Sequence, residues 1–357
     1  RENKEISVCL VEKGAEVGSH ILSGAVIDPV ALSELIPDWK EKGAPLNTKV
    51  TKDIFNLFSE TRNLKIPHWL MPPIMSNKQN YIVSLGDLCV WLSKEAENLG
   101  IEIYPGFTAQ EPIFNDNQEL VGILTGDMGR DSDGNETVNY AAGIEIRAKY
   151  SLIAEGTRGS ITKIIEKKLS LRKNSDPQKY GLGFKEVWRL DKNKHHPGLV
   201  EHSLGWPLEN DTGGGSFTYH YGEDLVSLGF VVHLDYSNPY LSPFDEFQSF
   251  KTHPKIKNLL AGAKRISYGA RAINEGGIQS WPELAFPGGV LIGCSAGMVN
   301  VPRIKGTHNA MKSGMLAAEA CVEAITKPEN INNKILEQYL QKLKASWVWD
   351  DLNSVRN

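Results

Sequence analysis

Cysteine is scarce here, with four in 357 residues. Cys9, Cys89, Cys294 and Cys321 stand far apart. No two share the short spacing of a zinc site or an iron–sulfur cluster, so this stretch encodes neither. A disulfide framework is excluded too, because such scaffolds are short and dense in cysteine. The four read as core thiols of a reducing compartment. No uncharged apolar run reaches the roughly 18–20 residues of a spanning helix. A basic surplus is also lacking: 39 Lys and Arg stand against 43 Asp and Glu, a net charge of −4. That argues against a nucleic-acid binder. The 33 Gly and 18 Pro are spread out, which excludes collagen-like and low-complexity chains. There is no initiator Met and no signal or transit peptide. The chain enters an apolar strand soon after Arg1 and ends just past Ser346-Trp347-Val348-Trp349, so it is expected to be an internal piece of a longer protein.

What is present points to two domains, at roughly 150 residues each. Ile6–Glu12 is a short apolar run ending in an acid, as an interior parallel strand does. Pro29–Leu35 reads as a short helix with its proline in the first turn. Residues 64–75 are apolar but broken by prolines, which excludes a regular helix or a central strand. They read as a loop packed on the core or as a greasy surface loop or channel wall. Leu85, Leu88, Leu92, Ala96 and Leu99 form one helix face, closed by Gly100, with a strand at Ile101–Tyr104. Asp133-Gly134 marks a hairpin in residues 111–150. Tyr150–Ala154 is another apolar strand, running into Glu155-Gly156.

The middle changes character. Phe184–Leu190, Ser216–Tyr221 and Leu225–Leu234 are β-type segments with no strong helix between them, which predicts an antiparallel sheet and a second domain. After Pro287-Gly288-Gly289 the parallel style returns. A helix is expected from about Thr307, with Met311, Met315, Ala318, Val322 and Ile325 on its apolar face. A last amphipathic helix is expected over about Asn333–Ala345.

Two features suggest chemistry. Glu12 ends its strand as acids do that accept ribose hydroxyls in dinucleotide-binding units. Residues 293–314 run from a strand through a Gly-rich loop into a helix. Glycines let backbone approach a flat ligand, and the helix start offers free N–H donors and positive potential. A packed crossover is the competing account. His220, His233 and His308 read as structural histidines. No catalytic triad, nucleophile or metal site is expected.

Residues 9–30, 151–160 and 293–314 resemble flavoproteins of the aromatic hydroxylase and geranylgeranyl reductase superfamily. Within it the chain is most similar to the electron-transfer flavoprotein–ubiquinone oxidoreductase family, through Val8–Lys13, Asp38–Asn47, Gly205–Leu208, Leu234–Pro243, Tyr268–Ala272 and the loop from Gly293. The resemblance covers nearly the whole chain. It implies an α/β fold: a Rossmann-like FAD-binding domain with an inserted, mainly antiparallel β ubiquinone-binding domain. Residues 1–110 would be the first part of the FAD domain, with 17–38 as a membrane-surface segment. Residues 111–150 would be a β-hairpin region, 151–165 the second FAD part, 166–280 the ubiquinone domain and 281–326 the third FAD part. Residues 327–357 would lead to a [4Fe-4S] domain whose ligands, like the phosphate-cradling Gly-rich turn before Arg1, are absent from this sequence.

The activity implied is transfer of electrons from reduced electron-transfer flavoprotein through FAD to ubiquinone, at the matrix side of the mitochondrial inner membrane or at a bacterial inner membrane. The resemblance carries Glu12 over as the ribose acid and Gly18, Ser23 and Gly24 as the loop passing the flavin. Glu155-Gly156 stands where the superfamily has Asp-Gly, and Gly293-Cys294 where it has Gly-Asp, which leaves the ribityl contact open. Gly297, Asn300, Gly306 and Thr307 would lie at the flavin, with Asn300 tuning it by a hydrogen bond. Gly214 and Gly215 would meet the quinone headgroup; a turn or bulge is the plain alternative. Val17, Ile21, Leu22, Val26 and Ile27 would touch the membrane as a monotopic surface, with core packing as the competing account. Two rivals remain: a flavin reductase of isoprenoid double bonds, and a non-catalytic piece.

Overall fold

The computed structural model describes residues 6–22, 24–326 and 334–356. Ser23, expected in the flavin loop, lies outside the described residues. Two parallel strand pairs form the α/β part. Cys9–Glu12 pairs with Glu102–Pro105, and Ser151–Ile153 with Gly289–Leu291. The first crossover runs through helix Leu85–Asn98. Its start is fixed by Ser84, whose hydroxyl accepts from the Asp87 N–H at 3.3 Å. Its end is fixed by Gly100 at φ +83°, a left-handed position that costs glycine little.

The second layer is a seven-stranded sheet. In spatial order it holds Lys264–Asn274, Tyr180–Arg189, Leu225–His233, Gly214–Tyr221, Leu199–Gly205, Lys52–Phe58 and Asn63–Ile66. All neighbours are antiparallel except Leu199–Gly205 and Lys52–Phe58. The last two strands come from the first 110 residues, so the sheet is stitched from distant parts of the chain. Side chains alternate between its faces. The outer face buries Leu228, Phe230 and Val232 under helices Pro243–Thr252 and Pro254–Leu260, which contribute Phe247, Phe250 and Ile256. Each buried Phe contributes about 1.5–3 kcal/mol of transfer free energy. The inner face, with Val187, Val200, Tyr219 and Tyr221, packs on Val26 and Ile82 of the α/β part.

Several expectations change. Val26 and Ile27 are 7% and 2% exposed, held in strand Ala25–Ile27, so they are core and present nothing to a membrane. Within 64–75, Asn63–Ile66 is an edge strand, where the following Pro67 breaks no ladder, and Trp69 stands 81% exposed. Helix Thr307–Thr326 forms as expected but buries a different face. Asn309, Ser313, Leu316, Ala317, Ala320 and Cys321 point inward, while Ala318 and Val322 are exposed. Ala317 and Ala320 are small enough for close approach of the strand Gly289–Leu291 and of helix Lys334–Lys344, whose Tyr339 hydroxyl donates to the Leu291 carbonyl at 3.3 Å. Size, not hydrophobicity, selects that face. Among the described residues no helix is long and apolar enough to cross a membrane.

Candidate functional site

Strands Ser151–Ile153 and Gly289–Leu291 run parallel, so the loops after their carboxyl ends emerge side by side. Open parallel sheets bind ligands at such ends. Glu155-Gly156 leaves one strand and Gly293–Gly297 leaves the other. Ser295 ties them: its hydroxyl accepts from the Gly156 N–H at 3.1 Å. Glu155 turns away and caps helix Ser160–Lys168, accepting from the Ser160, Ile161 and Thr162 N–H groups at 3.1, 3.3 and 2.7 Å. A Cβ on Gly156 would meet nothing within 4 Å, so open space faces it. Gly297 is left-handed at φ +83°, and a Cβ there would stand 3.0 Å from Gln178 Nε2. Burial raises the pKa of Cys294, which therefore stays a thiol.

Two amides that sequence reasoning missed, Gln178 and Asn274, lie beside Gly297, and a third, Gln279, lies beside Gly277. Gln178 Nε2, Asn274 Oδ1 and Gln279 Oε1 are buried with no partner. Gln178 is pinned through its other end, Oε1, which accepts from the Gly276 N–H at 2.7 Å. A buried unpaired amide costs stability unless a ligand completes it. Glycine backbone together with orphaned donors and acceptors fits a flat, polar-edged group such as a flavin. The only advance signal was the polar run Asn274-Glu275-Gly276-Gly277 after a strand.

The loop after Gly297 is braced from behind. Asn300 is fully buried and spends its amide inside the protein. Its Nδ2 donates to the Asp351 carbonyl and carboxylate at 2.9 and 3.0 Å, and its Oδ1 accepts from the Arg303 N–H at 3.0 Å. The expected hydrogen bond from Asn300 to a flavin is thus replaced by a structural role. Arg303 reaches Asp351 at 2.8 Å and also pairs with Asp28. His308 Nε2 lies 2.9 Å from Arg303 Nη1 and 3.4 Å from Asp351 Oδ2, while its Nδ1 has no partner. Although burial opposes it, hydrogen bonds from His308, Asn300 and Asn309 hold the Asp351 carboxyl well below the usual range. Gly306 and Thr307 then start the helix, with the Gly306 carbonyl accepting from the Ala310 N–H at 2.9 Å.

The other expected residues lie in two further places. Glu12 ends its strand and accepts from the Gly14 N–H. A Cβ on Gly18 would meet the Gly86 carbonyl at 2.9 Å, so this glycine lets the loop cross the start of helix Leu85–Asn98. Gly24 presses on the inner sheet face against Ser227, and its carbonyl accepts from Lys185 Nζ at 2.8 Å. Gly214 and Gly215 open strand Gly214–Tyr221, opposite Val232 and Val231. A Cβ on Gly215 would meet the Ser203 carbonyl at 2.8 Å, so sheet packing alone already demands a small residue. A separate cleft of about 620 Å³, lined by Asp28, Trp39, Lys40, Lys78 and Tyr81 among others, carries none of the expected site residues.

A family model described as "ETF-QO, ubiquinone-binding" matches residues 180–273, which hold five of the seven strands of the large sheet. The chain is 54% identical over 356 residues, 99% of its length, to the electron transfer flavoprotein-ubiquinone oxidoreductase of Pseudomonas aeruginosa. It is 53% identical over 361 residues to the mitochondrial protein of that name from Homo sapiens. Its share of those proteins is 64% and 58% of their length. Among solved structures it resembles a geranylgeranyl bacteriochlorophyll reductase-like protein of Thermoplasma acidophilum, with TM-score 0.71 and 17% identity over 95% of this chain and 77% of that one. It also resembles the myxobacterial halogenase CndH, described as FAD-dependent, with TM-score 0.66 and 15% identity over 95% of this chain and 74% of that one. The fold is therefore shared with these solved structures, and the family model falls on its large sheet. Over nearly its whole length the chain is similar to proteins named electron transfer flavoprotein-ubiquinone oxidoreductase, and it spans about three fifths of their length.

Proposed function

We propose that this chain is the flavin- and quinone-handling part of an oxidoreductase that passes electrons from reduced electron-transfer flavoprotein to ubiquinone. The observation that carries the reading is identity above one half along the whole chain to proteins of that name. FAD is the cofactor, and it supplies carriage of electrons singly or in pairs. Gly156, Gly293 and Gly297 give it backbone to lie against. Gln178, Asn274 and Gln279 complete its polar edge, and Glu12 holds its ribose. Gly18 and Gly24 shape the loop beside it, while Glu155 and Asn300 brace the loops on either side. The start of helix Thr307–Thr326, with Gly306 and Thr307, offers donors where negative charge collects on reduction.

The quinone headgroup meets the sheet at Gly214 and Gly215. Support for a greasy tail path comes from register. A Cβ on Gly215 would stand 3.1 Å from the Leu204 side chain, Leu204 pairs with Leu57, and Leu57 with Leu64. Leu204, Leu57 and Leu64 are exposed at 46%, 46% and 62%. With the exposed Trp69 and Leu70, they make an apolar margin suited to contact with one leaflet of a membrane. A [4Fe-4S] centre in the full-length protein, a monotopic seat on the mitochondrial or bacterial inner membrane, and electron-transfer flavoprotein as donor complete the proposal.

The test is an absorbance spectrum of the full-length protein in detergent. A flavin spectrum that bleaches with reduced electron-transfer flavoprotein and returns with short-chain ubiquinone supports the proposal. A flavin that ignores both and reduces an isoprenoid double bond overturns it.

A further inference from the structure

Quinone reduction consumes two protons as well as two electrons, and the inner face of the sheet holds an acid placed for one of them. Successive rows on that face are set by register. Gly213 stands beside His233, His233 opposite Gly181, and the next row holds Gly215, Val231 and Gly183. Two glycines in the first row exist to make room. A Cβ on Gly181 would collide with the Glu275 carboxylate, and one on Gly213 with the His233 ring. These two side chains therefore lie flat over the sheet, one row from Gly215. Glu275 Oε1 stands 3.7 Å from His233 Nε2. The Glu275 side chain is 7% exposed and that of His233 37%, so the pair runs from interior to solvent. Glu275 also follows Asn274, whose orphaned amide oxygen belongs to the flavin side of the site.

We propose that Glu275 is the general acid that protonates the quinone oxygen, with His233 returning protons to it from solvent. The inference rests on the quinone-reductase reading above. In the step, two electrons delivered through the flavin convert the quinone to its dianion. The O–H bond of Glu275 breaks and an O–H bond forms on the near quinone oxygen. The carboxylate left behind regains a proton through His233, and the far oxygen takes the second proton from water. One quinone, two electrons and two protons give one quinol.

Burial raises the Glu275 carboxyl to about 7, reinforced by Asp235 and opposed by Lys179. Burial lowers the His233 imidazole. The other charged groups nearby are Asp235 and Lys179, themselves paired at 3.4 Å, and Arg158, whose guanidinium lies over the Tyr180 ring. Burial thus favours the uncharged form of both groups, so no buried charge pair has to be held before the quinone is reduced. The separation of 3.7 Å is longer than a hydrogen bond and is bridged by one water or by closure on the substrate.

The test uses the full-length, FAD-loaded protein and a short-chain ubiquinone. Glu275→Gln keeps shape and removes the proton. It is expected to lower kcat about 100-fold, with an unchanged flavin spectrum as the folding control. Wild-type turnover is expected to fall as pH rises through about 7, where the acid is lost, and Glu275→Gln to abolish that limb. Glu275→Asp, still an acid, is expected to restore part of the rate, and His233→Gln to slow turnover less than Glu275→Gln. Independently of turnover, infrared difference titration of the wild-type protein should show a protonated carboxyl near neutral pH that is missing in Glu275→Gln. Turnover of Glu275→Gln within twofold of wild type, or a Glu275 carboxyl that titrates in the ordinary range, overturns the proposal while leaving the quinone reading intact. A wild-type protein that leaves ubiquinone untouched removes both, and the wild-type control separates the two failures.

Discussion

Ser295 holds Gly156. The Gly156 N–H donates to the Ser295 hydroxyl at 3.1 Å, joining loops that are 139 positions apart in sequence. This bond closes the mouth of the crevice between two parallel strands. Ser295→Ala should cost about 0.5–1.5 kcal/mol of stability. It should weaken FAD retention more visibly than stability, because the loops that it aligns are those expected against the cofactor. Urea unfolding and FAD release on dilution check the two halves separately.

Asp351 gathers Asn300, Arg303, His308 and Asn309 from one helix turn near the end of the chain. Its folded carboxyl lies below the unfolded value, so it contributes stability above the unfolded pKa of about 4. That contribution is lost as pH falls below that value. Asp351→Ala leaves Arg303 with one carboxylate fewer and should destabilise by about 3–5 kcal/mol at neutral pH. Denaturant midpoints at pH 7 and pH 3 should show a large gap between wild type and variant at the first and a smaller one at the second.

Lys185 works the other way. Its ammonium is set deep against the Gly24 carbonyl, and burial lowers its pKa to about 8. Between about 8 and the unfolded value near 10.4, the unfolded chain binds the extra proton, so stability rises with pH across that window. Below it, the group costs about 3 kcal/mol at most. Lys185→Met should therefore stabilise the protein at pH 7 and lose that advantage above pH 10. A midpoint that falls at pH 7 would show that the bond to Gly24 outweighs the buried charge.

Trp69 and Leu64 lie at the apolar margin of the sheet, 81% and 62% exposed. Replacing both by Ser should weaken sedimentation with lipid vesicles by about 10-fold or more, at roughly 1.5–3 kcal/mol for each large apolar side chain removed from water. The thermal midpoint should barely move, since neither packs in a core. Equal binding of both proteins to vesicles would send the search for a membrane seat elsewhere.

Strand, helix and turn positions were readable wherever local chemistry decides them. The strand ending at Glu12, the hairpin at Asp133-Gly134 and the helix from Thr307 stand where the sequence puts them. Facing was less readable. Met311 and Val322 looked like the inward face of that helix; Met311 does pack against the core around Leu32 and Trp39, but Val322 is exposed, and Ala317 and Ala320 are buried instead. Local pattern carries hydrophobicity but not the separation of the elements that pack together. The loops of the crevice were visible through their glycines. Gln178, Asn274 and Asp351 were not, because their roles come from meeting residues far away in sequence.

The sheet draws Lys52–Phe58 from early in the chain and hydrogen-bonds it along its whole length to Leu199–Gly205. A domain joined to its neighbour by linkers can swing, whereas one that shares a ladder with it cannot. Lys52–Phe58 cannot leave the sheet without tearing that ladder. The early part of the chain is thereby fixed to the sheet when the protein folds.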